Sequence, residues 1–183
     1  MVFLSTVGYP TGSAIADDLT VPISLQVDLL ARVAAYEQHY AARAGTEAVV
    51  LVAVRQGHAE SARAAGQFEA GLRRSATLAG RSVRVLRHPF TSGAALRVAV
   101  DENAAAIVYL TPGLGDQVNA IARALDGASV LTVSAIGSDA ERGAVLAFEL
   151  VAARPTLVVN LRQARLQGVV FSSQLLRLAR VIQ

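Results

Sequence analysis

Any chemistry in this chain has to come from few side chains. His39, His58 and His88 each stand alone, without an H-E-x-x-H or other metal spacing. Cysteine is absent, which removes disulfides, thiolate nucleophiles and thiolate-bound metals together. Ser134 or Ser138, with His58 and Asp139, supplies the residue types of a hydrolytic triad. Neither serine sits in a Gly-x-Ser-x-Gly elbow. Asp101-Glu102 reads as the surface end of a helix, not as two carboxylates set across a sugar bond. The stretch Thr111-Pro112-Gly113-Leu114-Gly115 is the best binding candidate. It lies between an apolar run and a helical pattern, so its free N–H groups could take an anion. As a dinucleotide fingerprint it fails, because position 118 is Val where a third Gly is needed. Pro112-Gly113 is equally an ordinary type II turn. Nothing here requires a cofactor or a metal.

The elements that must position these residues follow from periodicity. Pro22 suits a first helical turn, and Ile23, Val27, Leu30 and Ala34 recur at helical spacing until Gly45. Ala48 to Val54 is a continuous apolar run, as expected of a strand covered on both faces. A helix from about Ala59 to Leu78 follows, with Ala62, Ala65, Phe68, Leu72 and Ala76 as its buried stripe. Ser82 to Leu86 reads as a strand, and Ser92 caps a helix over 93–102. Ala105 to Leu110 is a strand, Asp116 to Leu125 a helix, and Ser129 to Val133 a strand. This βα alternation predicts an α/β fold: a single three-layer domain, with a mostly parallel sheet and helices on both faces. Two apolar runs, Gly143 to Val151 and Thr156 to Asn160, then predict an antiparallel C-terminal hairpin near a sheet edge, where Pro155 is tolerated. Ligands gather at the carboxyl ends of parallel strands. Gly57, His58, Thr111, Pro112, Gly113, Gly115 and Ser134 are therefore the candidate ligand-binding set.

The last quarter reads as strand, helix, turn, helix. Asn160 is a suitable N-cap, Gly168 suits the left-handed position after a helix, and Ser172-Ser173 can cap a closing helix over 174–182. In that helix Leu175, Leu178 and Ile182 would share a buried stripe. Phe171, Leu176, Arg177 and Arg180 are the candidate partner-binding residues, since exposed arginine beside apolar anchors makes a docking face.

The run VNLRQARLQGVVFSSQLLRLARVI resembles the C-terminal signature of the YfiR/HmsC-like family of small periplasmic proteins. More weakly, VPISLQVDLLARVAAYE is similar to that family's opening helix, IVYLTPGL to its central strand and loop, and ASVLTVS to its next strand. The resemblance covers roughly residues 21–183. It implies a non-enzymatic periplasmic regulator that binds and represses an inner-membrane signalling receptor, often a diguanylate cyclase, and it implies possible homodimers. Some family members use disulfides as a redox handle, which a chain without cysteine cannot do. The alternative is a small-molecule sensor, a binding-protein-like half-domain using the strand-end loops.

Composition narrows the rest. At 53% hydrophobic and 17% charged, the chain is too apolar for disorder. No apolar run reaches the roughly 18 residues of a membrane span, so no direct membrane insertion is expected. The net charge of +3 comes from scattered arginines, with no lysine and few aromatics, which argues against nucleic-acid binding. Residues 1–20 lack regular periodicity. Ala14-Ile15-Ala16 has the small-x-small form of a leader cleavage site, so this segment is expected to be a leader or a flexible extension.

Overall fold

A computed structural model describes residues 21–183; the expected leader or extension lies outside the described residues. Helix α1 (Ile23–Tyr36) buries Val27, Leu30, Val33 and Ala34. The periodicity predicts one helix as far as Gly45, but the chain breaks at Glu37, whose backbone is extended, before the short α2 (Tyr40–Ala44). The break has a tertiary cause: Glu37 pairs as a β-bridge with Phe171.

Strand β1 (Glu47–Arg55) is buried along its middle seven residues. Helix α3 (Ala59–Ser75) presents Ala65, Phe68 and Leu72 to the core, as their spacing predicts. Ala62 and Ala76 are exposed instead. The cap at His58 sets the phase, placing Ser61 and Ala64 inward, and Ala76 leaves the helix with a positive φ of 56°. Leu78 therefore belongs to a two-residue strand, β2 (Thr77–Leu78). Strand β3 (Arg81–Phe90) runs longer than its apolar core suggests, because it pairs in parallel with β1 from Glu47↔Ser82 to Arg55↔Phe90. Then come α4 (Gly93–Asn103), β4 (Ile107–Leu110), α5 (Val118–Leu125) and β5 (Leu131–Ser134). After a 3-10 turn, β6 (Leu146–Val151) and β7 (Arg154–Asn160) form the expected antiparallel hairpin.

The sheet has eight strands in the order β2-β3-β1-β4-β5-β6-β7-β8. It is parallel from β3 through β6. Helices α1 and α3 cover one face, in a core with Phe68, Tyr109 and Phe148. Helices α4 and α5 cover the other, with Leu51, Leu96, Val108 and Ile121. The fold is thus the single mixed α/β domain that the βα rhythm predicts.

The end of the chain departs from expectation. Helix α6 (Leu161–Leu166) is capped by Asn160, and α7 is only Ser173–Leu176. The expected helix over 174–182 does not form. Ala179–Ile182 is a strand, β8, parallel to β7 from Leu157↔Ala179 to Asn160↔Ile182. A nine-residue helix is marginal, whereas the outer edge of β7 offers a row of backbone partners to a segment containing Val181-Ile182. Leu175 is buried as expected, but Leu178 is 76% exposed.

Candidate functional site

The strand order fixes where a crevice can open. From β1 the chain passes to α3 on one face, and from β4 to α5 on the other. The loops after β1 and β4 therefore part at the topological switch point. Their residues bond to each other across it. Arg55 donates through Nη1 to the Gly113 carbonyl and to Asp116 Oδ1 at 2.7 Å. The Asp116 carboxyl is held below its ordinary value, first by the Gln117 amide and then by Arg55. His58 caps α3, its Nδ1 accepting from Ser61 N at 3.2 Å. Its ring lies against Gly113, where a Cβ would sit 3.0 Å from His58 Cε1 and φ is +92°. Only glycine meets both constraints without strain. Beneath, Thr111 Oγ1 donates to the Ala53 carbonyl at 2.7 Å, which leaves the Ser61 hydroxyl to donate to Thr111 Oγ1. Gly57 makes the turn with φ +71°, and Pro112 is buried.

Gly115 and Ser134 belong to a second, neighbouring group. A Cβ at Gly115 would lie 2.7 Å from Arg142 Nη1 and 3.4 Å from Asp139 Oδ1. Ser134 Oγ donates to Asp139 Oδ2 at 2.6 Å and accepts from Ile136 N at 3.1 Å. Arg142 donates to Asp139 Oδ1 at 3.3 Å. The candidate ligand residues thus do assemble at the carboxyl ends of the strands, in two adjoining clusters, with their polar groups largely engaged by one another. The triad's components are not in relay: the Ser134 hydroxyl goes to the carboxylate and His58 Nδ1 goes to the cap of α3. In a Ser–His–Asp triad the serine's proton is directed at the imidazole.

The candidate partner residues do not form one face. Phe171 is buried at the bridge with Glu37. Leu176 is half-buried on α7, and Arg177 is exposed beside it. Arg180 projects from the opposite face of the sheet, donating to Glu149 at 2.8 and 3.0 Å and to Glu141 at 3.3 Å.

A family model described as YfiR/HmsC-like matches residues 24–180. The chain belongs to the YfiR/HmsC-like family. Membership supports, in general terms, a periplasmic regulator of the diguanylate-cyclase pathway, within a family that regulates and does not catalyse. No curated protein matches this YfiR/HmsC-like chain. Its fold is shared by an ABC domain from Streptococcus pneumonia solved with L-Trp, with a TM-score of 0.64 at 11% identity, covering 88% of this chain and 62% of that one. A conserved domain protein from Vibrio cholerae gives 0.63 at 14% identity, covering 91% and 61%. A ligand-free, open substrate-binding protein with adhesive properties from Clostridium difficile gives 0.63 at 10% identity, covering 89% and 60%. The YfiR/HmsC-like chain spans less than two thirds of the length of each. Among the described residues no helix is long and apolar enough to cross a membrane.

Sequence reasoning does not anticipate two buried polar networks of this YfiR/HmsC-like domain. One is the buried Glu37, which sits in what reads as a helix interior. The other is the Asp139 cluster. Burial pushes the Asp139 carboxyl above its ordinary 3.8, against the opposing pulls of Ser134 and Arg142. The folded state therefore holds this proton more tightly than the unfolded state. The group's contribution to stability is greatest near and below pH 3.8 and falls as pH rises through the raised folded value. Asp139→Asn keeps an acceptor for Ser134 and is expected to flatten that part of the profile. Urea unfolding of both proteins across the acidic range checks it.

Proposed function

We propose that this chain represses a membrane-bound signalling receptor of the diguanylate-cyclase type by binding its periplasmic part. The observation that carries the reading is the family match across residues 24–180. A ligand that binds one state of a receptor more tightly shifts its population without chemistry. A surface suited to that role lies where α1 meets α7. The outward stripe of α1 carries half-buried Leu25 and Leu29, exposed Arg32, and Tyr36 at 43% exposure. Leu176 is half-buried at the end of α7, and Arg177, the residue after it, is exposed. Tyrosine and arginine beside aliphatic anchors are the residues that dominate interfaces. Phe171 supports this surface from beneath, and Arg180 is committed to Glu149 and Glu141 on the other side of the sheet.

The test is capture of the receptor from the native envelope fraction, followed by affinity measurement with its purified periplasmic part. Tyr36→Ala and Arg177→Glu are each expected to weaken binding by at least about 2 kcal/mol, roughly thirtyfold. Unchanged affinity in both variants would move the surface elsewhere, and no receptor binding at all would remove the reading.

A second reading, a small-molecule sensor, is favoured by the strand-end clusters. There a ligand's anionic group would replace Asp116 on Arg55. A thermal-shift screen tests it, because a ligand at about 100 times its dissociation constant adds roughly 2.7 kcal/mol. The expected shift is lost in Arg55→Ala.

A further inference from the structure

A cleft of about 240 Å³ opens between α5 and α6, and arginines from three different elements line it: Arg123 on α5, Arg142 after the 3-10 turn, and Arg162 on α6. Its walls are fixed by contacts within the chain. Buried Gln163 donates through Nε2 to Asp126 Oδ1 at 2.9 Å and to the Ala122 carbonyl at 3.4 Å, tying α6 to α5. Asn160 donates through Nδ2 to the Ala140 carbonyl at 2.8 Å. Gly143, with φ +117°, brings its backbone so close to α5 that a Cβ there would lie 2.6 Å from that of Ala122. The arginines are less committed than the walls. Arg123 and Arg162 are exposed, and neither makes an ion pair of 4.0 Å or less among the described residues. Arg142 reaches Asp139 Oδ1 at 3.3 Å, and about half of its side chain stays exposed. Two carboxylates also line the cleft, but each has another partner: Asp126 accepts from Gln163, and Glu141 from Arg180 at 3.3 Å.

We infer that this cleft holds the phosphate group of a small phosphate monoester. The cleft lies on the α5 side of the sheet, away from α1 and the proposed receptor surface, and owes nothing to the regulatory reading. Like charges gathered round one concavity repel each other, and an anion placed between them removes that repulsion. The planar fork of N–H donors on a guanidinium matches the oxygens of carboxylate and of phosphate. The number of arginines separates the two. A carboxylate has two oxygens and a single charge, and Asp126 and Glu141 on the walls would offset much of its attraction. A phosphate monoester brings three terminal oxygens, one for each arginine, and close to two negative charges at neutral pH. Pockets for drug-sized ligands begin at about 300 Å³, so a cleft of about 240 Å³ suits a smaller molecule. Because the walls are already fixed, little ordering remains to be done when the ligand enters.

Glycerol 3-phosphate is the probe, titrated calorimetrically into the full chain at about 0.15 M salt, where diffuse attraction to a basic protein is damped. Saturable binding at one site is expected. Arg123→Gln and Arg162→Gln are each expected to raise the dissociation constant at least about tenfold, with the thermal midpoint kept because neither side chain has an ion-pair partner to lose. Asp126→Asn keeps the acceptor for Gln163 while taking a negative charge off the wall, so it is expected to tighten binding at least about twofold. Arg165→Gln, on α6 but outside the cleft, is expected to change nothing. Sedimentation with vesicles containing phosphatidic acid, whose headgroup is a phosphate monoester, distinguishes a lipid source. Vesicle binding that is lost in the two cleft variants, without binding of the soluble probe, would keep the phosphate site and make its source a headgroup. Saturable binding to neither, or a loss in Arg165→Gln equal to that in Arg162→Gln, overturns the inference.

Discussion

Glu37→Ala is expected to cost about 3–5 kcal/mol of folding stability, because it strips the partner from a buried cation. The Glu37 side chain is fully buried and that of Arg43 is 4% exposed, with 3.0 Å between them. The same carboxylate accepts from His39 N at 3.1 Å and from Val170 N at 2.9 Å. Around it, Gln38 N donates to the Val170 carbonyl and Ser172 N to the Tyr36 carbonyl, while Arg43 also reaches the Gly168 carbonyl. Glu37 is thus the centre of a clasp that holds residues 168–172 against the break between α1 and α2. That segment leads into α7 and β8. Denaturant unfolding measures the loss, and proteolysis should cut earlier near exposed Leu178. Arg43→Met in the same chain is expected to recover much of the stability, because a buried pair replaced together by apolar groups costs far less than one broken. A loss below about 1 kcal/mol in the single variant would mean that water reaches the clasp and screens the pair.

The second large effect is Phe68→Ala, expected to cost about 3–5 kcal/mol as a cavity in a close-packed core. Phe68 is fully buried on α3 and stacks on Tyr109 of β4, with ring centroids 3.6 Å apart and planes 9° from parallel. Tyr109 is locked beyond that contact. Its hydroxyl donates to Gln26 Oε1 at 2.7 Å, and Gln26 Nε2 donates to the Val21 carbonyl at 2.8 Å. The stack therefore joins α3, β4 and α1 beneath the proposed receptor surface. Because Tyr109 keeps its hydrogen bond, the neighbours have little freedom to collapse into the space, which argues for the upper part of the range. Phe68→Leu, which refills most of the volume, should cost markedly less. Equal losses for the two variants in urea unfolding would show that the ring geometry matters more than the space it fills.

Where local pattern and tertiary structure agree, the fold is legible in the sequence. Ser92, Asn160 and Ser172 each cap the helix their side chains suit, accepting from Ala95 N, Gln163 N and Leu175 N. The βα rhythm from β1 to β5 gives the parallel sheet, and Pro155 enters β7 as expected. Tertiary partners decide the exceptions. Leu175, Leu178 and Ile182 have helical spacing, yet the open edge of β7 draws Ala179–Ile182 into the sheet. Glu37 lies inside a helical pattern, and only its bridge to Phe171, far along the chain, explains the break. The strand-end loops were legible as a cluster, since topology alone brings them together. That Arg55, His58 and Asp139 engage their own neighbours was not, because hydrogen-bond partners across loops leave no period in the sequence.

Action by contact, without turnover, is read on a reconstituted receptor. The membrane-bound cyclase recovered by capture would be assayed for cyclic-di-GMP synthesis while the purified chain is titrated against its periplasmic side. Saturable loss of synthesis, relieved by Tyr36→Ala and Arg177→Glu, is the expected result. Synthesis that stays constant at saturating chain would contradict it, as would a chemical product formed by the chain itself.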